Sequence, residues 1–277
     1  MKLMSFAELI KPKQTLLLMI TFLISFLVAG GREIAPAVAT FFTIAGTTAL
    51  NMWLDRDIDA MMMRTRKRPL PSGELSPKIC FIYGTTLFSI GVFLALLTKI
   101  EFAVVLFLGL FFDIIVYTVM LKRKSPYSII VGGLAGAMPA LAGWVAVQGF
   151  TIPGFLIASI VLLWIPSHIW FIAIHFEEDY RKANIPTFPL VFGIQKTAKV
   201  ISLSTFLMIW VLIALYLVFP MHPIFFLISM PITLYFLLKV IVFALRPERS
   251  KAREMYKLAS IKLGSIFLGI LIAGILR

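Results

Sequence analysis

The sequence predicts an all-α, polytopic membrane protein: about nine transmembrane helices in a single bundle, with a central cavity opening toward the cytoplasmic side. Three observations predict it. Of the 277 residues 60% are hydrophobic, and the mean hydropathy is +0.99, far above a water-soluble domain. The apolar residues fall in runs of about 20, the length that crosses a bilayer as a helix. The 26 lysines and arginines gather at alternate ends of those runs, which is the mark of membrane orientation.

Taken in order, the runs are 14–30, 35–54, 79–98, 101–121, 129–148, 154–175, 199–219, 224–245 and 258–276. The first follows Lys11, Pro12 and Lys13 and lacks a small-residue cleavage site, so it is expected to stay as a helix rather than act as a cleaved signal peptide. Each join is short, so residues 1–277 are expected to form one domain. With the N-terminus in the cytoplasm, 21 of the 26 basic residues fall inside. Only Arg32, Lys99 and the C-terminal Arg277 fall outside, and Lys239 and Lys262 lie within runs. The cationic loops are therefore read as cytoplasmic and the C-terminus as external, in a multi-pass protein of the cell membrane.

The loops also repeat in chemistry. Acidic segments follow the second and sixth runs. Basic segments, KRK at 122–124 and RPERSKAR at 246–253, follow the fourth and eighth. This suggests two pseudo-repeated halves, about 14–124 and 129–253, plus a final helix at 258–276. The net charge of +13 is thus spent on orientation and does not point to nucleic acid. The lone Cys80 excludes an intramolecular disulfide, a cysteine-clustered zinc or iron–sulfur site and a CxxCH haem attachment.

The chain is organised around residues 51–77, NMWLDRDIDAMMMRTRKRPLPSGELSP. Asn51, Asp55 and Asp59 stand four apart, so all three oxygen-bearing groups can line one helical face, with Asp57 off it. Arg64, Arg66, Lys67 and Arg68 follow at once. Acid and base this close suit a diphosphate chelated by Mg²⁺, an ion that takes hard carboxylate oxygens and shares them with substrate phosphate. Arginine forks suit the remaining phosphate oxygens. The plainer reading, a solvated positive loop, explains the basic residues but not three oxygen ligands in helical register. Asn51, Asp55 and Asp59 are accordingly the first candidate metal ligands, with Asp55 and Asp59 catalytic through that metal, and Arg64 and Arg68 the first phosphate contacts. Lys122 and Arg123 either contact phosphate or anchor their loop.

A second acidic stretch, HFEEDYRK at 175–182, follows the sixth run. Two acidic loops facing across one cavity could hold metal on both sides of a diphosphate. Asp113 lies inside the fourth run, where a carboxyl is costly and usually faces a cavity, and Tyr117 lies one turn on, on the same face. His168 and His175, seven apart, share a face of the sixth run.

The N-x3-D-x3-D spacing followed by RTRKRPLPSG resembles the membrane-embedded prenyltransferases of the UbiA superfamily, and within it the protohaem IX farnesyltransferase (haem O synthase) branch. Three further stretches carry the narrower likeness: YTVMLKRKSPYSIIVGGLAGAMPALAGW at 117–144, WIPSHIW at 164–170 and DYRKANIPTFP at 179–189. The likeness runs through nearly the whole chain in the same order. There are departures. His175 stands where the superfamily often has a second loop aspartate, Thr187 and Phe188 replace a more usual Met-Leu, and Ser167 replaces a second proline.

The resemblance implies Mg²⁺-dependent transfer of a farnesyl group from farnesyl diphosphate to a vinyl carbon of haem B, with addition of water. Asp179, with Glu178 or Glu177, would complete a second metal site and join Asp55 and Asp59 as catalytic. Tyr117, in the tyrosine–KR segment, would contact substrate. His168 would ligate haem iron or bind a propionate, or else serve as a hydrogen-bonded packing residue. Trp53, Tyr127, Trp144, Trp164 and Trp170 either line the porphyrin or form the interfacial aromatic belt. Gly132, Gly133, Gly136 and Gly143 either allow close helix packing or make room for a flat substrate. The implied partners are the two substrates, the bilayer and a downstream haem-modifying enzyme or terminal oxidase assembly. Other UbiA-type acceptors, an aromatic quinone precursor or an archaeal lipid precursor, share the diphosphate site. A transporter is disfavoured, because only Asp113, Lys239 and Lys262 are clearly internal charges.

Overall fold

The structure, a computed structural model, describes residues 2–276, so Arg277 lies outside the described residues. In chain order it comprises α1 (Lys2–Leu9), α2 (Pro12–Val28), α3 (Ala35–Leu54), α4 (Arg56–Met61), α5 (Pro77–Thr98) and α6 (Ile100–Leu110). A π-helix (Phe111–Leu121) continues α6. There follow α7 (Ser128–Gln148), α8 (Ile152–His175), α9 (Glu177–Lys182), α10 (Phe188–Phe192), α11 (Ile194–Val218), α12 (Ile224–Leu245) and α13 (Ala252–Ile275). No strand occurs among the described residues.

Eight of these segments, with α6 and its π continuation taken together, are long and apolar enough to cross a membrane. α2 is a ninth apolar helix of 17 residues, at the short end of the spanning range. Most expected boundaries hold to within two residues, while α11 and α13 begin at Ile194 and Ala252 rather than at 199 and 258. The starts move earlier where proline or a cap can open a helix. Pro12 and Pro77 stand in the first turn, where the missing N–H costs nothing. The Ser76 hydroxyl accepts from the Ile79 N–H at 3.3 Å. The fourth run differs most. It is not one α-helix but α6 followed by π backbone, in which the Lys122 N–H reaches back five residues to the Tyr117 carbonyl at 2.7 Å. Single π turns inside helices commonly re-aim side chains at functional sites.

The helices close into a ring. α3 packs on α5, α2 on α7, α7 on α8, α8 on α11 and α13, α12 on α13, and α13 returns to α2. With little hydrophobic force between helices in lipid, close backbone approach drives much of this packing. A Cβ on Gly46 would lie 2.4 Å from the Phe88 backbone nitrogen, and one on Gly143 2.3 Å from the Phe22 carbonyl. Those two glycines set the α3–α5 and α2–α7 contacts. The largest core gathers Phe22, Phe102, Ile157, Met208, Phe225 and Ile266. A second, around Trp170, Phe171, Phe188, Phe236 and Met255, joins α8 to α10–α13. Outward side chains such as Leu217 and Leu227 are exposed, as a lipid-facing wall requires. Lys262 is fully buried, its ammonium 4.0 Å from the Phe236 ring centre, whereas Lys239 reaches outward toward Glu254 at 3.8 Å.

Candidate functional site

The site grows from the end of α3. Backbone hydrogen bonds run from the Asp55 N–H to the Asn51 carbonyl and from the Asp59 N–H to the Asp55 carbonyl, at 3.0 and 2.8 Å. Helical register therefore persists through the break between α3 and α4. Asn51, Asp55 and Asp59 lie on one face, all buried, at 7, 3 and 4% exposure. Buried carboxylates demand partners, and each of the three residues has one cation on it. Lys11 Nζ donates to Asn51 Oδ1 at 2.5 Å, Lys122 Nζ to Asp55 Oδ2 at 2.5 Å and Arg68 Nη1 to Asp59 Oδ2 at 2.7 Å. Asp55 Oδ1 is buried with no hydrogen-bond partner.

The π-helix supplies the fourth contact. Asn51 Nδ2 donates to Thr118 Oγ1 at 2.9 Å, and the Thr118 hydroxyl donates to the Asp113 carbonyl at 2.7 Å, five residues back. Asn51 is thus held at both ends of its amide, with the oxygen toward Lys11. Lys11 sits in the linker before α2 in the left-handed region (φ 46°), a conformation that costs a non-glycine residue about 1 kcal/mol or more. The linker is tied down by the Ile10 carbonyl, which accepts from Thr15 and Thr48 at 2.5 and 3.1 Å. Burial, helped by the nearby Arg68, lowers the Lys11 ammonium to about 8 against the pull of Asp55, Asp113 and Asp59. Burial also opposes charge on Lys122, but Tyr117 and Asp55 outweigh it and hold that ammonium above the usual lysine range.

The second acidic segment is built differently. Asp179 is buried, and its two carboxylate oxygens accept the backbone N–H groups of Met63 and Arg64 at 3.0 and 3.3 Å. It therefore fastens α9 to the basic loop. Glu177 pairs with Arg181 and Arg249, and Glu178, 77% exposed, faces Arg249 at 3.8 Å. Among the described residues no three acidic or histidine side chains gather as a metal cluster. The residues of the expected set, Asn51, Asp55, Asp59, Asp179 and Glu178, therefore stand in two places: Asn51, Asp55 and Asp59 on Lys11, Lys122 and Arg68, and Asp179 and Glu178 on the backbone of the basic loop and Arg249. Of the basic candidates, Arg68 and Lys122 reach the site. Arg123 instead makes a two-pronged contact with exposed Asp57 at 2.6 and 2.7 Å, which raises its own proton affinity and holds the Asp57 carboxyl below its ordinary value. Arg64 is exposed and lies 5.3 Å over the Phe176 ring. The Tyr117 ring fills the space over Gly132, where a Cβ would meet it at 2.5 Å.

One helical turn before Asn51, Thr48 lines a cavity that is partly open to its surroundings. Leu18, Ile44, Leu106 and Met138 give it apolar walls, with Gln14 and Asp113 as polar points. The histidines lie elsewhere on α8. His168 stacks on Trp164 at 4.6 Å and meets Ser260 Oγ through Nδ1 at 3.2 Å. The Ser260 hydroxyl also lies 3.1 Å from the Tyr256 carbonyl, to which it donates. His175 lies against Phe176 and Tyr256. Trp164 spends its N–H on the Ala259 carbonyl, and Trp170 is fully buried in the second core.

Sequence reasoning missed Lys11 and Thr118. Lys11 has no spacing relation to the acids and reaches them only through the fold. Thr118 would have been legible only to a reader who knew that its helix is π. The donor set fits Mg²⁺: amide and carboxylate oxygens are hard ligands, and Asp55 Oδ1 is an orphaned acceptor in a buried place.

A family model, that of the UbiA prenyltransferase family, matches residues 15–263. The chain is 56% identical over 275 residues to a protein of Archaeoglobus fulgidus named protoheme IX farnesyltransferase, with 98% of each chain covered. It is 46% identical over 281 residues to a protein of the same name from Korarchaeum cryptofilum, covering 100% of this chain and 96% of that one. Among solved structures, a digeranylgeranylglyceryl phosphate synthase superposes with a TM-score of 0.83 at 20% identity, over 100% of this chain and 99% of that one. A UbiA homologue from Archaeoglobus fulgidus bound to DMAPP and Mg²⁺ superposes with a TM-score of 0.72 at 16% identity, over 96 and 99%.

Proposed function

The chain belongs to the UbiA prenyltransferase family, and from that premise we propose that it transfers a farnesyl group from farnesyl diphosphate to a vinyl carbon of haem B, water being added, to give haem O and diphosphate. The observation that carries the narrow reading is the 56% identity, end to end, with a protoheme IX farnesyltransferase. The buried oxygens of Asn51, Asp55 and Asp59 support the chemistry.

Asn51 Oδ1 and the carboxylates of Asp55 and Asp59 would hold Mg²⁺, which when bound neutralises the leaving diphosphate as a Lewis acid. Arg68 and Lys122 stabilise the charge that grows on the diphosphate as the allylic C–O bond breaks. Arg64 adds a phosphate contact from the loop that Asp179 fastens, so Asp179 acts as a positioning residue. The apolar cavity beside Thr48 takes the isoprenoid tail and keeps water from the allylic carbon. The acceptor's vinyl carbon attacks that carbon, and water then supplies the hydroxyl at the neighbouring carbon. His168 would contact the acceptor, at the haem iron or a propionate. The acidic loops face the cytoplasm, on the strength of the basic-residue asymmetry.

The test is incubation of purified protein with farnesyl diphosphate, Mg²⁺ and either haem B or 4-hydroxybenzoate. The expected product is haem O, read by mass. A prenylated benzoate without any haem product would overturn the acceptor assignment.

A further inference from the structure

The cavity beside Thr48 holds one ionisable side chain that the reaction described so far does not use. Of the residues lining it, Gln14, Asp113 and three threonines carry polar side chains. Thr43, Thr47 and Thr48 donate their hydroxyls to the carbonyls of Thr40, Thr43 and Ala45. Asp113 is the one lining side chain that ionises. Its carboxyl is half-buried and makes no hydrogen bond or ion pair among the described residues. Its charged neighbours are Lys11, Lys122 and Asp55. Lys11 donates to Asn51 and Lys122 to Asp55, so neither closes on Asp113. With Asp113 counted, the acids Asp55, Asp59 and Asp113 balance the bases Lys11, Arg68 and Lys122. An ionisable residue inside a membrane span is costly and marks a functional position by default. The π backbone fixes where this one stands. Thr118 donates to the Asp113 carbonyl at 2.7 Å and accepts from Asn51 Nδ2 at 2.9 Å. Asp113 is therefore two hydrogen bonds from Asn51, at the end of the cavity nearest the diphosphate.

We infer that Asp113 is the base of the hydration step, its carboxylate taking the proton of the water that adds to the prenylated acceptor. The inference rests on the haem-farnesylating reading. There the isoprenoid tail enters the cavity from the diphosphate end, so the allylic carbon and the new C–C bond lie beside Asp113. The outer vinyl carbon bonds to the allylic carbon, and the allylic C–O bond breaks with its electron pair leaving on diphosphate. The positive charge is left on the vinyl carbon next to the porphyrin ring. Water oxygen bonds to that carbon, and the proton it sheds passes to the Asp113 carboxylate, which returns it to solvent through the open side of the cavity. Without a base for the water, the same cation loses a proton from the neighbouring CH₂ group and becomes an alkene, lighter by one water. Asp113 thus decides which product forms, while Asn51, Asp55 and Asp59 decide whether the prenyl group is released at all.

The test reads the products by mass. Purified full chain in detergent is incubated with farnesyl diphosphate, Mg²⁺ and haem B in oxygen-labelled water. The wild type should give the hydrated product carrying the label. Asp113→Asn should still join the farnesyl group to haem and leave the donor KM unchanged. Its ratio of hydrated to dehydrated product should fall by about a hundredfold or more, the lower end of what a positioned base contributes. Should that variant not fold, Asp113→Ala takes its place, and added formate, a carboxylate small enough for the vacated space, should raise the hydrated fraction. An unchanged product ratio in Asp113→Asn overturns the inference. So does a folded variant that makes neither product, and so does an alanine variant that formate fails to rescue. These results leave the acceptor assignment standing, because that assignment rests on the wild-type product. A wild type that makes no haem product overturns the acceptor assignment itself, and the hydration base with it.

Discussion

The two acidic segments look alike as sequence and differ in what they hold. Around Asn51, Asp55 and Asp59 the carboxylates are buried and face side-chain cations, and one oxygen of Asp55 has no partner at all. Around Glu177, Glu178 and Asp179 two of the three acids lie among surface arginines, and the third spends both oxygens on the backbone of Met63 and Arg64. The first segment sets its acids against side chains. The second is arranged to keep a loop in place. A carboxylate that accepts two backbone N–H groups is tied to the main chain, with one hydrogen bond on each oxygen. One that faces a lysine or arginine is held by a side chain instead.

The sharpest way to break this comparison is to remove one acid from each segment. Asp55→Ala should lower haem-farnesylating turnover by more than about a hundredfold, since even outer-shell partners of a metal cost about 10- to 100-fold. Mn²⁺ binding in the presence of donor should fall with it, while thermal melting shows a folded protein. Asp179→Ala should behave otherwise. Losing two charge-assisted hydrogen bonds should cost about 2 kcal/mol or more of stability and make the loop at 62–68 easier to cleave. The donor KM should rise by roughly tenfold, but Mn²⁺ affinity should stay within about twofold. If Asp179→Ala destroys metal binding as thoroughly as Asp55→Ala does, the two segments share one job and the contrast fails.

A smaller effect sharpens the account of the first segment. Thr118→Val removes the acceptor that fixes the Asn51 amide, and a lost hydrogen bond of this kind costs about 1 kcal/mol. That corresponds to roughly a fivefold weaker hold on Mn²⁺ plus donor, with Asn51 free to rotate. An unchanged affinity would show that the π-helix does not position Asn51. The smallest effect belongs to Glu178→Ala. Its carboxylate is 77% exposed and 3.8 Å from Arg249, so stability should move by less than about 0.5 kcal/mol and turnover should not move. A large loss of activity in that variant would restore Glu178 to the metal site.

Much of the fold was legible because lipid imposes a simple rule. A run of about 20 apolar residues must be a helix, since every backbone group has to be satisfied within it. The expected span at 224–245 coincides with α12. What the runs could not reveal was a change of helix type at Phe111, because π and α backbone bury the same apolar letters. In the site, the face shared by Asn51, Asp55 and Asp59 was legible from spacing alone. The division of labour between Lys122 and Arg123 was not. They are neighbours in sequence, yet one reaches buried Asp55 and the other exposed Asp57, a choice made by where the π-helix ends. Glu178 and Asp179 were equally indistinguishable until α9 gave one to solvent and the other to the loop backbone. Lys11 carried no local signal at all, since its partner lies 40 residues away.

The return of α13 to pack against α2 has a bearing on how the protein is made. The helix that completes the wall is made more than 200 residues after the one whose flank it covers. Until α13 is made, that flank of α2 lacks its partner, and a chain halted before residue 252 would never gain it. Ribosome-stalled intermediates of graded length should leave Val28, which lies against Gly274 in the folded protein, open to a lipid-soluble crosslinker until α13 is inserted.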